Sequence, residues 1–307
     1  MQLQALRYFA MVAATGSFAA TARHFQVPAS SVSRFVAALE RELGQQLLYR
    51  NTRSVRLTEG GERYYLQLRE ILDALDVANE EAAGQDAEVR GLVRINAPVA
   101  LGRLHIATLV GRLQGVHPGL DVELTLTDAV IDPILEGADI TVRIGQLNDS
   151  ALIGRTLAEQ HYVVCASPAY LRQHGRPETP QELLVHRCLV YKGTAGAQRW
   201  FFRRAPGEAP QVLQVRGPLC SNNAEVLVAA AKEGRGIVMF PTWLFDPECF
   251  RSATLVPLLS GWVASEDAVL RRIHLISPEN RLRSRKVRVV LDFLIEAIGS
   301  PPCWDAV

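Results

Sequence analysis

The stretch SFAATARHFQVPASSVSRFVAALEREL, from Ser17 to Leu43, decides the fold of the N-terminal part of this chain. Its apolar residues recur every three or four positions on both sides of one interruption, which predicts two amphipathic helices. Pro28 makes the interruption, because proline disfavours a helical conformation at the residue before it. The residues expected inside are Ala19, Ala22 and Phe25 in the first helix and Val32, Phe35, Val36, Leu39 and Leu43 in the second.

Another helix, the first in chain order, is predicted just before this stretch. Its apolar face carries Leu6, Phe9, Val12 and Ala13, and Gly16 ends it. A helix, a short break and a second helix form the layout of a helix-turn-helix, whose second helix presents its first side chains to the edges of bases. The DNA contacts expected from that helix are Ser30, Ser31, Ser33 and Arg34.

The segment LYRNTRSVRLT, Leu48 to Thr58, predicts a β-wing after the helices. Its centre is polar and cationic and its flanks are short and extended, which suits contacts with phosphates or with the minor groove. The expected contacts are Arg50, Thr52, Arg53 and Arg56. A small helical subdomain with an ordinary basic loop is the alternative interpretation of residues 1–58.

Charge is unevenly distributed along the chain. The whole chain has a net charge of +1, but residues 1–58 hold seven arginines and two glutamates, a net charge of +5, and the remainder has a net charge of −4. A basic head on a mildly acidic body favours a polyanionic partner. A solvated basic face explains the charge alone equally well.

The strings LRYFAMVAATGSFAATARHFQV and SSVSRFVAALERELGQQLLYRNTRSVRLTEGGE closely resemble the DNA-binding domain of LysR-type transcriptional regulators. Helix lengths, turn and wing all occur in register. One departure concerns the start of the third helix, where LysR-type proteins usually have Ser-Gln-Pro-Ala and this chain has Pro28-Ala29-Ser30-Ser31. The resemblance implies sequence-specific binding to double-stranded promoter DNA, and the departure concerns base preference.

A long helix is expected to follow the wing, with Thr58 as its cap. Apolar residues lie at intervals of four and three, at Tyr64, Leu68, Ile71, Leu75 and Ala78, which predicts a short heptad seam. The seam packs either on the protein itself or on a second copy. A linker-like stretch from Ala82 to Asp86 favours the dimer, and LysR-type proteins pair through this helix. Residues 59–89 are therefore predicted to be a dimerising helix and hinge.

Residues 90–300 alternate strands and helices, which predicts an α/β fold with a mostly parallel sheet. The expected strands are Leu92–Ile95, Val122–Thr127, Ile140–Ile144, Tyr162–Ala166, Ile237–Phe240 and Ile273–Ile276. The expected helices are Leu101–Leu113, Pro168–Gln173, Ala224–Lys232 and Lys286–Ile298. About a hundred residues separate the last strand from the first group, which suits a chain that crosses to a second lobe and returns.

This region is also similar to the LysR-type effector domain, through GLVRINAPVALGRLHIATLV, GADITVRIGQLNDSALIGRTLAEQHYVVCASPAYL and HRCLVY. That domain resembles periplasmic solute-binding proteins. The resemblance implies two lobes, residues 90–161 with 268–300 and residues 162–267, around an effector cleft. The cleft residues that it implies are Pro98, Val99, Ala100, Leu101, Thr127, Asp128, Arg143, Asn222 and Asn223.

Each of these assignments has a simpler structural alternative. Backbone N–H groups at helix starts can hold an anion, and Arg143 can bind a carboxylate through two hydrogen bonds. Arg143 can instead pair with Asp139, and Asn222 can merely cap its helix. Tyr191 and Trp200 are expected in the core rather than in an aromatic wall of the cleft.

No enzyme signature is found in the sequence. It has no G-x-S-x-G elbow, no phosphate-binding G-x-x-x-x-G-K-[ST] and no H-E-x-x-H, so no catalytic residue, metal site or cofactor is predicted. The five cysteines are far apart, and the N-terminus lacks the features of a signal peptide, so a cytoplasmic location with reduced thiols is expected.

These observations predict a LysR-type regulator with a winged helix-turn-helix, a linker helix and a two-lobed α/β effector domain. Its partners are expected to be promoter DNA, a small-molecule effector, in particular an organic or aromatic acid, and further copies of itself as a dimer and tetramer. A solute-binding receptor without a DNA role is the alternative. An enzyme that uses the cleft is a third and less favoured hypothesis.

Overall fold

The computed structural model describes residues 2–50, 55–83, 88–129, 137–145, 152–193, 196–205 and 208–305. The described residues fall into two compact units. The first unit holds the residues up to Val89 together with Gly137 and Asn280–Arg288, and the second unit holds the rest.

The first unit begins with the three helices that the sequence predicts. They are α1 (Leu3–Thr15), α2 (Phe18–His24) and α3 (Ala29–Leu43), followed by β1 (Leu48–Arg50), β2 (Val55–Leu57) and the long helix α4 (Glu59–Ala83). Ser17 caps α2, because its hydroxyl accepts a hydrogen bond of 3.1 Å from the N–H of Ala20. Gly44 ends α3 at a φ of 66°, a conformation that side chains with a Cβ rarely adopt.

The core of the first unit forms where α1 crosses α3. Its buried residues include Tyr8, Phe9, Val12, Val32, Val36, Leu39, Leu47 and Leu48. Two residues predicted inside are exposed instead, Ala19 on α2 and Leu43 on the last turn of α3. Leu43 precedes the chain reversal at Gly44, where α3 has run past the core. The alternative of a helical subdomain with a loop is wrong, because β1 and β2 form an antiparallel hairpin.

The described chain after Val89 alternates short strands and helices, and all of it except Gly137 and Asn280–Arg288 belongs to the second unit. In chain order they are β3 (Gly91–Ala97), α5 (Val99–Leu101), a π-helical turn (Gly102–Ile106), α6 (Ala107–Val116), β4 (Leu120–Leu126), β5 (Ile140–Ile144), β6 (Leu152–Glu159), β7 (Tyr162–Ala166), α7 (Pro168–His174), a 3-10 helix (Pro180–Val185), β8 (Val190–Gly193), β9 (Gly196–Ala197), β10 (Trp200–Arg203), β11 (Gln211–Leu213), β12 (Cys220–Ser221), α8 (Ala224–Lys232), β13 (Val238–Pro241), a 3-10 helix (Thr242–Leu244), α9 (Glu248–Arg251), β14 (Val256–Leu258), β15 (Val263–Ser265), β16 (Arg272–Pro278), a 3-10 helix (Glu279–Arg283) and α10 (Arg285–Ile298).

The strands separate into two lobes. Within the described residues, β4, β3, β5, β16 and β6 form one sheet in that spatial order, the first lobe. The strands β7 to β15 form three smaller sheets, the second lobe. The chain crosses between the lobes twice, from β6 to β7 and from β15 to β16, so the last strand returns to the first sheet as the sequence suggests.

The expectation of a mostly parallel sheet is wrong. In the first lobe β3 pairs parallel with β4 and β5, but β16 pairs antiparallel with β5 and β6. In the second lobe β7 pairs antiparallel with β13 and β14. The physical reason is the return crossing, which brings β16 into the sheet against the direction of its neighbours. Alternation of strands and helices along a sequence does not reveal this direction.

The second lobe has its own apolar core. It includes the fully buried Trp200 and Phe202 of β10 and Met239 of β13. Trp200 is therefore a core residue, as expected. The two crossings and the ends of β3, β4 and β5 bring polar side chains together between the lobes.

Candidate nucleic-acid interface and ligand cavity

The first turns of α3 present the predicted DNA-reading side chains. Ser30 and Arg34 are exposed, and Ser31 and Ser33 are partly exposed. The guanidinium carbon of Arg34 lies 5.8 Å from the ring centre of Phe35, which is half-buried beside it. Ser30 and Arg34 therefore present solvent-exposed side chains at the start of α3.

The wing is attached to α3 by a carboxylate that the sequence reasoning missed. The Oε1 atom of Glu40 accepts hydrogen bonds from the N–H groups of Leu47 (2.9 Å) and Leu48 (3.0 Å), where the hairpin begins. Arg56 lies exposed on β2. Arg50 lies at the end of β1 without a described side chain, and Thr52 and Arg53 lie outside the described residues.

A second connection joins the wing to α4. The hydroxyl of Thr58 donates to the carbonyl oxygen of Gln46 (2.8 Å) and accepts from the N–H of Gly61 (2.9 Å), so Thr58 caps α4 as predicted. A Cβ at Gly61 would collide with the carbonyl oxygen of Leu47. The wing, α3 and α4 are therefore joined by these hydrogen bonds.

The predicted seam on α4 divides into two parts. Tyr64 lies with its ring centre 5.7 Å from that of Phe9, and Leu68 is only 3% exposed, so both pack inside the first unit. Ile71 is 62% exposed, and Ala78 is exposed. Leu75 is partly exposed. Leu68 is therefore a core residue and not part of a partner surface, whereas Tyr64 packs on Phe9 of α1 but stays partly exposed. The other three remain candidates.

A cavity of about 340 Å³ lies between the two lobes of the second unit. Eight of the nine predicted cleft residues line it, namely Pro98, Val99, Ala100, Thr127, Asp128, Arg143, Asn222 and Asn223. Leu101 is fully buried and is not among the lining residues, so its predicted role is withdrawn. It lies one position too far along α5, on the side of the helix that packs into the core.

Arg143 lines the cavity from β5 without an ion pair to any described residue. The alternative pairing with Asp139 is wrong. Asp139 instead accepts a hydrogen bond of 2.8 Å from the N–H of Arg94 through its carboxylate. The guanidinium of Arg143 is thus available to a ligand.

Both helix starts at the cavity are already occupied by protein groups. The carboxylate of Asp128 accepts a hydrogen bond of 3.0 Å from the N–H of Val99. The side chain of Asn223 accepts one of 3.1 Å from the N–H of Val226 and so caps α8. The expected capping role of Asn222 thus belongs to Asn223.

Polar contacts connect the two lobes around the cavity. Arg103, on the helix after β3, forms an ion pair with Glu225 of α8. The Nε2 atom of His105 lies 2.7 Å from the carbonyl oxygen of Trp243, and the indole N–H of Trp243 donates to Gln160 (3.3 Å). Burial lowers the pKa of His105 and outweighs this carbonyl contact, which raises it.

Acidic side chains line another part of the cavity, around Tyr191. Burial raises the pKa of the Tyr191 phenol, and the nearby carboxylates of Asp128 and Glu266 raise it further. Glu266 is balanced by Arg271 at 2.6 Å. Tyr191 was expected in the core, but it lines the cavity beside Phe240 and Trp243. Tyr191, Phe240 and Trp243 therefore form an aromatic wall of the cavity. Phe240 was expected only as a strand residue, and Trp243 was not predicted.

The described residues hold neither a metal-binding cluster nor a membrane-spanning helix. No group of three or more His, Cys, Asp or Glu side chains there is placed to hold a metal ion. No helix in the same part of the chain has the length and apolar character that crossing a membrane requires.

Two family models match this sequence. Residues 3–62 match the model described as "Bacterial regulatory helix-turn-helix protein, lysR family". Residues 86–299 match the model described as "LysR substrate binding domain". The first covers the winged helices, and the second covers both lobes and the cavity.

Curated relatives match nearly the whole chain. The probable HTH-type transcriptional regulator LtrA of Klebsiella pneumoniae is 33% identical over 295 residues, which cover 95% of this chain and 94% of LtrA. The HTH-type transcriptional activator AaeR of Escherichia coli is 35% identical over 246 residues, 80% of this chain and 79% of AaeR. Both are named as transcriptional regulators.

Solved structures match the same architecture. CrgA, a LysR-type transcriptional regulator from Neisseria meningitidis, superposes with a TM-score of 0.61 at 28% identity, covering 97% of this chain and 99% of CrgA. The full-length virulence activator AphB of Vibrio cholerae superposes with a TM-score of 0.58 at 29% identity, covering 96% and 99%. The chain accordingly belongs to the LysR family of transcriptional regulators, and the alternative of a receptor without a DNA role is wrong.

Proposed function

We propose that this regulator is controlled by a small organic or aromatic acid that binds in the cavity between the lobes. The observation that carries the proposal is the guanidinium of Arg143, which lines a cavity of about 340 Å³ and has no ion pair within the described residues. Such a volume is at the lower end of the range for small-molecule pockets. The aromatic side chains of Tyr191, Phe240 and Trp243 support a ligand with an apolar body.

Control by the acid follows from a shift between lobe arrangements. A ligand that binds one arrangement more tightly raises its population. The contacts that join the lobes around the cavity, Arg103 with Glu225 and His105 with Trp243, are the ones that such a shift would change. Lobe boundaries near residues 161/162 and 267/268, at the two crossings, suit this motion.

On the DNA side, Ser30, Ser31, Ser33 and Arg34 of α3 read bases. Arg50, Thr52, Arg53 and Arg56 of the wing contact the backbone or the minor groove. Residues 1–58 form the DNA-binding domain, and residues 59–89 form the helix and hinge.

Two copies pair through Ile71, Leu75 and Ala78 of α4, and two such dimers form a tetramer in the cytoplasm, where promoter DNA is accessible.

The test is fluorescence anisotropy of the full chain on the DNA upstream of its own gene and on scrambled DNA, across a salt series and with added acids. We expect a preference for the upstream DNA, an affinity that falls steeply with salt, and an acid-dependent change. Arg34→Ala should reduce the affinity by about tenfold or more, since one base contact is worth roughly 1–3 kcal/mol.

Arg112→Ala is the matched control, because it removes the same charge from an exposed site on α6 of the second unit. It should leave DNA binding unchanged. Equal affinities of the two variants would contradict the assignment of α3 as the reading helix. Sedimentation that finds only monomers at micromolar concentration would contradict the oligomer proposed.

A further inference from the structure

Three polar side chains form a row on the first-lobe sheet, beneath the cavity. Asn96 on β3 lies in register with Thr141 on β5. Arg143 lies two residues beyond Thr141 on the same strand, and side chains two residues apart share one face of a sheet. All three line the cavity. The row therefore offers hydroxyl, amide and guanidinium donors side by side.

The hydroxyl of Thr141 has unused hydrogen-bonding capacity. Thr141 is only 7% exposed, and its Oγ1 atom is buried without a hydrogen-bond partner among the described residues. Its neighbour Asn96 is also only 7% exposed. An unsatisfied buried hydroxyl destabilises a fold, and most buried polar atoms have partners. A ligand atom in the cavity would supply the missing partner.

The charges around the cavity favour some positions for an anion over others. At the start of α5 the carboxylate of Asp128 accepts the N–H of Val99, and its negative charge disfavours an anion there. The carboxylates of Asp128 and Glu266 also repel a negative group near Tyr191. Arg143, with Thr141 and Asn96 beside it, is the position that attracts an anion. Near Tyr191, Glu266 is already balanced by Arg271, which favours a neutral hydrogen-bond donor over a cation.

We propose that the cavity takes a small monocarboxylic acid that also carries a hydroxyl group. Its carboxylate binds the row of Asn96, Thr141 and Arg143, and its hydroxyl donates to the carboxylates near Tyr191. This assignment rests on the proposed function, because the acid is the effector of the same cavity. It places the carboxylate on the sheet rather than at a helix start, and it excludes dicarboxylic acids.

The test is calorimetric titration of the full-length protein with benzoate, 4-hydroxybenzoate and terephthalate at neutral pH. These share one ring and differ only at the far end. We expect 4-hydroxybenzoate to bind about tenfold more tightly than benzoate, the effect of one hydrogen bond to a charged group. Terephthalate should bind more weakly than benzoate. The proposal would be overturned if none of the three compounds gave a heat of binding at about 10 mM, or if terephthalate bound most tightly of the three.

Thr141→Val separates a binding role from a structural one. The change keeps the shape and removes a hydroxyl without a protein partner, so the melting temperature should stay the same or rise while the affinity for both monocarboxylates falls about tenfold. Thr125→Val is the matched control, since Thr125 on β4 lies in register with Asn96 on its other side and does not line the cavity. An affinity unchanged in Thr141→Val would overturn the proposal.

The same titrations distinguish this inference from the proposed function. If the monocarboxylates bind as expected but DNA binding in the anisotropy assay does not respond to them, the acid site stands and effector control is contradicted. If DNA binding responds to other compounds while Thr141→Val and the acid series have no effect, effector control stands and this assignment is wrong.

Discussion

The cysteine side chains differ in exposure and in acidity. Cys188 lies in the apolar core of the second lobe, and Cys165 on β7 is fully buried. Burial raises the pKa of both thiols, that of Cys188 to about 12, and Cys249 raises that of Cys165 further. Cys220 and Cys303 are exposed. Because the thiolate is the reactive form, burial and a raised pKa both protect a cysteine from alkylation.

Alkylation of the native protein with iodoacetamide should therefore modify Cys220 and Cys303 first. Cys165 and Cys188 should react only at the rate at which the second lobe unfolds. Peptide mass spectrometry over a time course measures both. Labelling of Cys165 as fast as that of Cys220 in the absence of denaturant would contradict this prediction.

At the scale of single elements, α4 serves two purposes along its length. Its first turns complete the core of the first unit through Tyr64 and Leu68, and its middle presents Ile71 to solvent. An isolated exposed apolar residue is ordinary on a surface. One that continues a heptad spacing on a long helix favours contact with a second helix.

Two substitutions on α4 should therefore have different effects. Leu68→Ala should lower the free energy of unfolding by about 2–5 kcal/mol, because it leaves a cavity in a packed core. Ile71→Ser should weaken self-association and leave the fold of the first unit intact. Chemical denaturation and sedimentation equilibrium measure the two quantities. If Ile71→Ser associates as strongly as the unmodified chain, α4 is not the dimer contact.

At the scale of the whole molecule, the second unit contains histidines that the fold keeps neutral. Burial lowers the pKa of His105 and of His274 below the ordinary value of 6.5. The unfolded chain then binds more protons than the folded one. The contribution of these histidines to stability is complete above that value and is lost as the pH falls below it.

The melting temperature of the protein should consequently fall as the pH is lowered from 7 towards 5. His105→Gln should reduce the slope, because glutamine keeps an N–H donor near the carbonyl of Trp243 and does not titrate. Thermal melts at several pH values test this, and a melting temperature independent of pH would count against it.

Much of the fold follows from local sequence patterns. The limits predicted for the strands Ile140–Ile144 and Tyr162–Ala166 and for the helix Ala224–Lys232 agree with the structure to the residue. The short strands β8 to β12 were missed, because two to four residues carry too little periodicity. The direction of β16 was missed as well, because a strand's own residues do not specify which way its neighbours run.

The cavity was predicted less completely. The resemblance placed Arg143 and the loops after β3 and β4, but it did not indicate that Asp128 and Asn223 would each accept an N–H group at a helix start. A local signal for Thr141 existed in the alternation Ile-Thr-Val-Arg-Ile, which places Thr141 and Arg143 on one face of β5. The partner of that face, Asn96, becomes visible only through strand register.

The carboxylate of Glu40 has a consequence for protein engineering. A transplanted recognition helix that replaces all of α3 would also remove the acceptor of the N–H groups of Leu47 and Leu48, and the hairpin would lose its anchor. If α3 reads bases as proposed, a chimera that exchanges Ser30, Ser31, Ser33 and Arg34 but retains Glu40 and the buried Val32 would change base preference and keep these hydrogen bonds. The segment to be exchanged should therefore end between Arg34 and Glu40 of α3.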